Sequence, residues 1–138
     1  NFGAIVNFTY VESEVDYLNA DGSLAIRTDL TGLSQNAYNA TLYYEDERFS
    51  ARISGAYRDE YLTYAPGRTS GIDVEGNADT FNLDFSSTYI YSDNLQFTFE
   101  ALNLTDEFQD QWVTSQLYLP SFYHHTGRQF FVGARYKS

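Results

Sequence analysis

Strict alternation of residue character, repeated along the whole chain, constrains this sequence more than any other feature. From Phe49 to Tyr61 the positions Phe49, Ala51, Ile53, Gly55 and Tyr57 are apolar or small, while Ser50, Arg52, Ser54, Ala56, Arg58 and Glu60 fall on the opposite parity. A period of two is the signature of a β-strand with one apolar and one wet face. Just upstream, Tyr38, Ala40, Leu42 and Tyr44 alternate with Asn39, Thr41, Tyr43 and Glu45. Only Asp46, Glu47 and Arg48 separate the two runs, so they must pair as an antiparallel hairpin.

The unit recurs. Alternation predicts an all-β chain of about six antiparallel, up-and-down strands, over about residues 2–14, 37–45, 49–61, 80–92, 95–102 and 128–137. No stretch of helical period competes. The connections alternate in length: roughly 17–24 residues join strands one to two, three to four and five to six, against two very short turns between. A soluble sandwich, the third architecture compatible with these strands, has no physical reason to sort its loops by end. A bilayer does, and transmembrane barrels carry short turns on one side and long loops on the other.

Charge and aromatics follow the same division. Of the 19 Asp and Glu, only Glu45, Asp46, Glu47, Asp84, Asp93 and Glu100 lie away from the long-connection end. Phe2, Tyr44, Phe49, Tyr91 and Tyr136 cluster at the short-turn end of the apolar parity, where an interfacial aromatic girdle would sit. A net charge of −11 argues against nucleic acid as a partner, because phosphate binding needs clustered Lys and Arg. No apolar run reaches the length of a membrane-spanning helix, which leaves strand-type spanning open. There is no Cys, hence no disulfide framework and no thiolate chemistry.

Beyond general barrel physics, three runs carry a resemblance. They are Gly32-Leu33-Ser34 through Tyr61, Asp93-Asn94-Leu95 through Asn103-Leu104-Thr105-Asp106-Glu107, and Tyr123-His124-His125-Thr126-Gly127-Arg128 through Lys137. Together they resemble the late barrel of TonB-dependent outer-membrane receptors, the last run being similar to the C-terminal strand. The resemblance implies that residues 1–138 are the C-terminal six strands of a 22-stranded barrel, with the N-terminal plug domain absent from the chain. It implies a bacterial outer-membrane location and active import of a scarce ligand, either an oligosaccharide or an iron chelate. The partners implied are outer-membrane lipid and lipopolysaccharide, the remaining barrel strands and plug, and the TonB complex acting through the N-terminal part. The chain closes on Ser138, where the family usually ends in an aromatic residue.

Candidate site residues divide in two. Tyr64, Trp112, Tyr118, Tyr123, His124 and His125 lie in the long connections, where aromatic faces and neutral donors suit ligand contact. Arg52, Arg58, Asp84, Glu100 and Arg135 fall on the inward parity and are expected to face the lumen, a plug, or one another across strands. His124 and His125 are adjacent, point opposite ways in extended chain and lack a third ligand, so no metal site and no cofactor is expected. No nucleophile, base and orienting group occur together, so no enzymatic activity is expected. Six strands also leave two open edges, whose unpaired backbone groups are costly in lipid. The alternative reading is therefore a structural or self-assembling β element with no transport of its own.

Overall fold

The computed structural model describes residues 1–138 and contains twelve strands and no helix. They are β1 (Phe2–Tyr10), β2 (Val15–Leu18), β3 (Leu24–Thr28), β4 (Asn36–Glu45), β5 (Phe49–Arg58) and β6 (Tyr61–Tyr64). The second half holds β7 (Glu75–Asn77), β8 (Thr80–Ser92), β9 (Leu95–Leu102), β10 (Phe108–Val113), β11 (Leu119–His125) and β12 (Gln129–Tyr136). A six-stranded antiparallel sheet in the order β1-β4-β5-β8-β9-β12 joins all six predicted strands. Its register keeps parity across the pairings, apart from a shift between Ile90 and Ser92 in the β8–β9 pair, so the apolar rows of neighbouring strands line up. One row reads Ala4, Leu42, Ile53, Phe85, Ala101 and Phe130, and the row behind it on the other face runs Tyr43, Arg52, Ser86 and Glu100.

Nothing covers the apolar face. The substantial contacts between elements are all between hydrogen-bonded neighbours, and only six of 138 residues are buried. These strands do not pack face to face as a sandwich would, burying one face of each sheet. Leu42, on an interior strand, stands 59% exposed, and Val6, on the edge strand β1, 72%. Five strand spacings by six residues make a face of about 24 Å by 20 Å. A continuous apolar patch of roughly 500 Å² is at the upper limit of what monomeric soluble proteins expose.

Aromatic bands flank that face. At the short-turn end Phe2 packs on Tyr44 (4.8 Å between ring centres) and Tyr44 on Phe49 (6.2 Å). At the other end Phe8, Tyr38 and Tyr57 form a ladder with centres 5.0 and 5.7 Å apart, and Phe81 stands opposite Tyr57. Between the bands lie aliphatic and small residues on β1, β4 and β5, and the packed rings of Phe85, Phe99 and Phe130 on β8, β9 and β12. The β4–β5 turn is closed by Asp46, whose Oδ1 accepts the backbone N–H groups of Arg48 and Phe49 at 2.8 Å.

The long connections are themselves strand-rich, which corrects the expectation of loops over residues 15–35, 62–78 and 103–126. Strands β2 and β3 form a hairpin, and β6, β7, β10 and β11 form a four-stranded sheet in the order β11-β10-β7-β6. Each of these four continues β5, β8, β9 or β12 after a break of two to five residues, and in the same lateral order. The second sheet therefore prolongs the first rather than capping it. Correspondingly, the first predicted strand stops at Tyr10 and the third at Arg58.

Candidate functional site

The breaks between the sheets are built from hydrogen bonds that only these residue types supply. At the end of β9 the chain turns through Asn103 (φ 54°) and Asp106 (φ 57°), left-handed conformations that Asn and Asp tolerate best among non-glycine residues. The Asn103 Oδ1 accepts the N–H of Glu107 at 2.8 Å, and its Nδ2 donates to the Gly127 carbonyl at 3.2 Å. Thr105 donates its hydroxyl to the Phe81 carbonyl at 2.6 Å, and Arg128 donates through Nε to the Leu104 carbonyl at 3.0 Å. So Asn103-Leu104-Thr105-Asp106 and Thr126-Gly127-Arg128, two motifs distant in sequence, form one joint. Asp106 also meets His125 Nε2 at 2.9 Å, and the imidazole lies flat on Phe108 with centres 4.0 Å apart. The hydrogen bond from His125, aided by the charge of Arg128, holds the Asp106 carboxyl below the usual carboxylate range.

A second joint tops β4 and β5. Asp59 Oδ2 accepts from the N–H of Asn36 at 3.1 Å and from its side-chain Nδ2 at 2.6 Å, which lowers the Asp59 pKa. Arg58, expected in the lumen, is consumed here: it donates to Ser34 Oγ (2.6 Å) and the Gly32 carbonyl (2.9 Å) and lies 3.9 Å over the Tyr61 ring. Of the other inward-parity residues, Asp84 accepts the N–H of Asn103 at 2.9 Å and serves the first joint. Arg52 donates to Ser54 at 3.2 Å and, like Arg135, reaches no carboxylate. Glu100 stands opposite Ser86 and Phe131 on the same face.

The predicted ligand-contact residues do not converge. Trp112, expected on an exposed loop, is 7% exposed on β10. A Cβ on Gly76 would come within 2.4 Å of its ring, so the indole fills space that only glycine leaves. Tyr118 joins it, with ring centres 4.6 Å apart. Tyr64 lies on β6 beneath the Arg68 guanidinium at 4.1 Å. That guanidinium also donates to Glu75 Oε2 at 3.0 Å. Burial pushes the Glu75 carboxyl up, but the bonds from Arg68 outweigh it and leave the group below its ordinary value. Tyr123, His124 and His125 are all exposed on β11, the outer strand of the second sheet. His124 shares a side with Phe122, and His125 faces the joint.

Two clefts lie among these elements. The larger, about 670 Å³, opens between the β2–β3 hairpin and the second sheet; Trp112 and Tyr118 form one wall, and Tyr57, Asp59, Glu60 and Asp79 line its base. The other, about 570 Å³, is lined by Tyr61, Thr63, Tyr64, Arg68 and Gln111 with Thr31 and Gly32. Tyr57, Asp59, Tyr61 and Asp79 escape a sequence reading because they come from strand ends brought together only by pairing. Comparison with protein-family models, with curated proteins and with solved structures yields no match.

Proposed function

We propose that this chain forms part of the wall of an outer-membrane active-transport receptor, which captures a scarce ligand and imports it with TonB energy coupling. The observation that carries the reading is the uncovered apolar face. It runs in register across six strands, stops at an aromatic band on each side, and passes into hydrogen-bonded polar strands at one end only. Water gives no reason for such a face, and lipid does. The wall would contribute the joint and the two clefts to the outer rim, while gating and energy coupling come from parts of the receptor outside these residues.

Sidedness tests the reading. A short epitope inserted at Gly71, whose turn (φ 87°) has open space around it, should be reached by antibody on intact cells expressing the complete receptor. The same epitope beside Glu47, in the short turn, should be reached only after permeabilisation. The reverse labelling, or a chain that fractionates with soluble protein in cells making the receptor, would overturn it. A second reading is favoured by one observation: β1 and β12 are both edge strands, with no partner on their outer sides. A free chain would then pair edge to edge with its own copies and build a β assembly without transport. Uptake by the receptor separates the two.

A further inference from the structure

We propose that the cleft between the β2–β3 hairpin and the second sheet is a binding site for a neutral saccharide. Its volume, about 670 Å³, falls within the range of small-ligand sites. Three aromatic rings line it, those of Tyr57, Trp112 and Tyr118, and Tyr61 borders it with its ring turned to the polar side under Arg58. A pyranose presents an apolar C–H face and a rim of hydroxyls, and so asks for aromatic planes with hydrogen-bonding groups beside them. The cleft has those groups in Gln35, Ser115 and the carboxylates of Asp29, Glu60 and Asp79. Carboxylate acceptors bond hydroxyls more strongly than neutral ones do.

The charge decides against the other ligand class. The cleft's one guanidinium, Arg27, is already held by Asp16 through both Nε and Nη2, so no free cation offsets the acidic side chains. An anionic chelate or a phosphorylated sugar entering here would meet like charge at close range, which opposes binding. A neutral sugar meets none. The Trp112–Tyr118 wall is also preset: the indole is locked by Gly76, and Tyr118 is fixed in a left-handed turn (φ 46°), so little ordering is lost on binding.

The cleft's place in the fold leaves two sources for the same chemistry. Tyr57 belongs to the apolar parity and to the upper aromatic band, so the cleft opens beyond that band on the side of the apolar face. On the proposed wall reading, this is the outer membrane surface, where sugar arrives free from solution or already present on an outer-leaflet glycolipid. Trp112 is the chain's only tryptophan, so its fluorescence reports the site directly.

The experiment titrates the complete receptor with maltohexaose, chitotetraose and a galactan tetrasaccharide while following Trp112 emission against a form carrying Trp112→Phe. A saturable change is expected with at least one of them below about 10 mM. It should weaken by about tenfold or more in Tyr118→Asn, a residue suited to that left-handed position, with circular dichroism unchanged. His124→Ala, outside the cleft, should leave it intact. No change from any of the three sugars, or a response to an anionic ferric chelate instead, overturns the proposal. Reconstitution with lipopolysaccharide of full sugar core and with lipid A alone separates the sources. A shift with the first only, competed by soluble sugar, assigns the glycolipid, and a shift with soluble sugar alone assigns the free ligand. Insertion is read independently by heat-resistant mobility, so a receptor that inserts without responding refutes the saccharide site and leaves the wall reading standing.

Discussion

Exchanging one residue for arginine on each side of β5 weighs lipid against water at neighbouring positions. Ile53 lies midway between the aromatic bands, opposite Leu42 and Phe85, and is 37% exposed. In water Ile53→Arg forfeits only partial burial, about 1–2 kcal/mol. Facing the middle of a bilayer, the same change costs about 2–4 kcal/mol. Ser54 faces the other way: its Oγ is 3.0 Å from Thr41 Oγ1, and Asp84 stands opposite it on β8. Ser54→Arg loses two hydrogen bonds, the one with Thr41 and the exposed one from Arg52, about 1–2 kcal/mol together, and gains an exposed cross-strand ion pair of about 0.2–1 kcal/mol, so the net cost is about 1 kcal/mol. Denaturant titration of the complete receptor in lipid vesicles should therefore show the folded-to-unfolded ratio of Ile53→Arg lowered by roughly 5- to 150-fold relative to Ser54→Arg. Equal losses for the two variants would refute the assignment of faces. A full Ile53 penalty that persists in detergent-free buffer would refute the role of lipid.

Two further outcomes are expected. Gly76→Ala places a Cβ 2.4 Å from the buried Trp112 ring and 3.0 Å from the Tyr61 carbonyl oxygen, so it should cost about 1–3 kcal/mol and shift Trp112 emission to the red; unchanged emission would show that the indole has room. Asp106 has a depressed pKa, so its stabilising effect is present above the unfolded value of about 3.9 and is lost as pH falls through the lower folded value; amide exchange at residues 103–107 should accelerate below about pH 4, and Asp106→Asn should abolish that dependence.

What the alternation could reveal, it revealed because it is local. Each of the six long strands carries its own period of two, and matching parity between neighbours excludes every odd shift of register, because a slip of one residue would turn every apolar side chain to the wet face; the short turns fix the rest. The strands within the connections carry no such signal. β7 is Glu75-Gly76-Asn77, which in isolation reads as a turn, and β11 contains Pro120, tolerated because β11 is an edge strand and Pro120 sits where its register with β10 shifts. Trp112 shows the limit most clearly. An isolated aromatic among Gln, Asp and Thr suggests an exposed platform, but its burial depends on Gly76 on the neighbouring strand, 36 positions away. Arg58 fails for the same reason: parity gives its side of the sheet, but not the presence of Ser34 and Gly32 on that side.

The joints explain why the wall changes sheet where it does. In an unbroken strand Tyr61 would lie on the side of Tyr57, the apolar side. It lies instead under the Arg58 guanidinium, on the polar side, so the passage through Asp59 and Glu60 inverts the parity of the chain. Extra residues in a strand re-aim side chains in this way. The inversion separates two demands that one continuous strand could not meet together. Below the joint, pairing must present an unbroken apolar face; above it, the same four strands must place Leu62 and Trp112 in a cleft and Tyr61 and Gln111 on its reverse. The joint residues are Asn, Asp, Thr, Gly and Arg because the ladder is interrupted there and side chains must supply the missing partners. The two motifs that most resemble a receptor family, Asn103–Asp106 and Thr126–Arg128, are therefore explained by geometry at a boundary. On the proposed reading they would mark the height at which the wall leaves lipid for water.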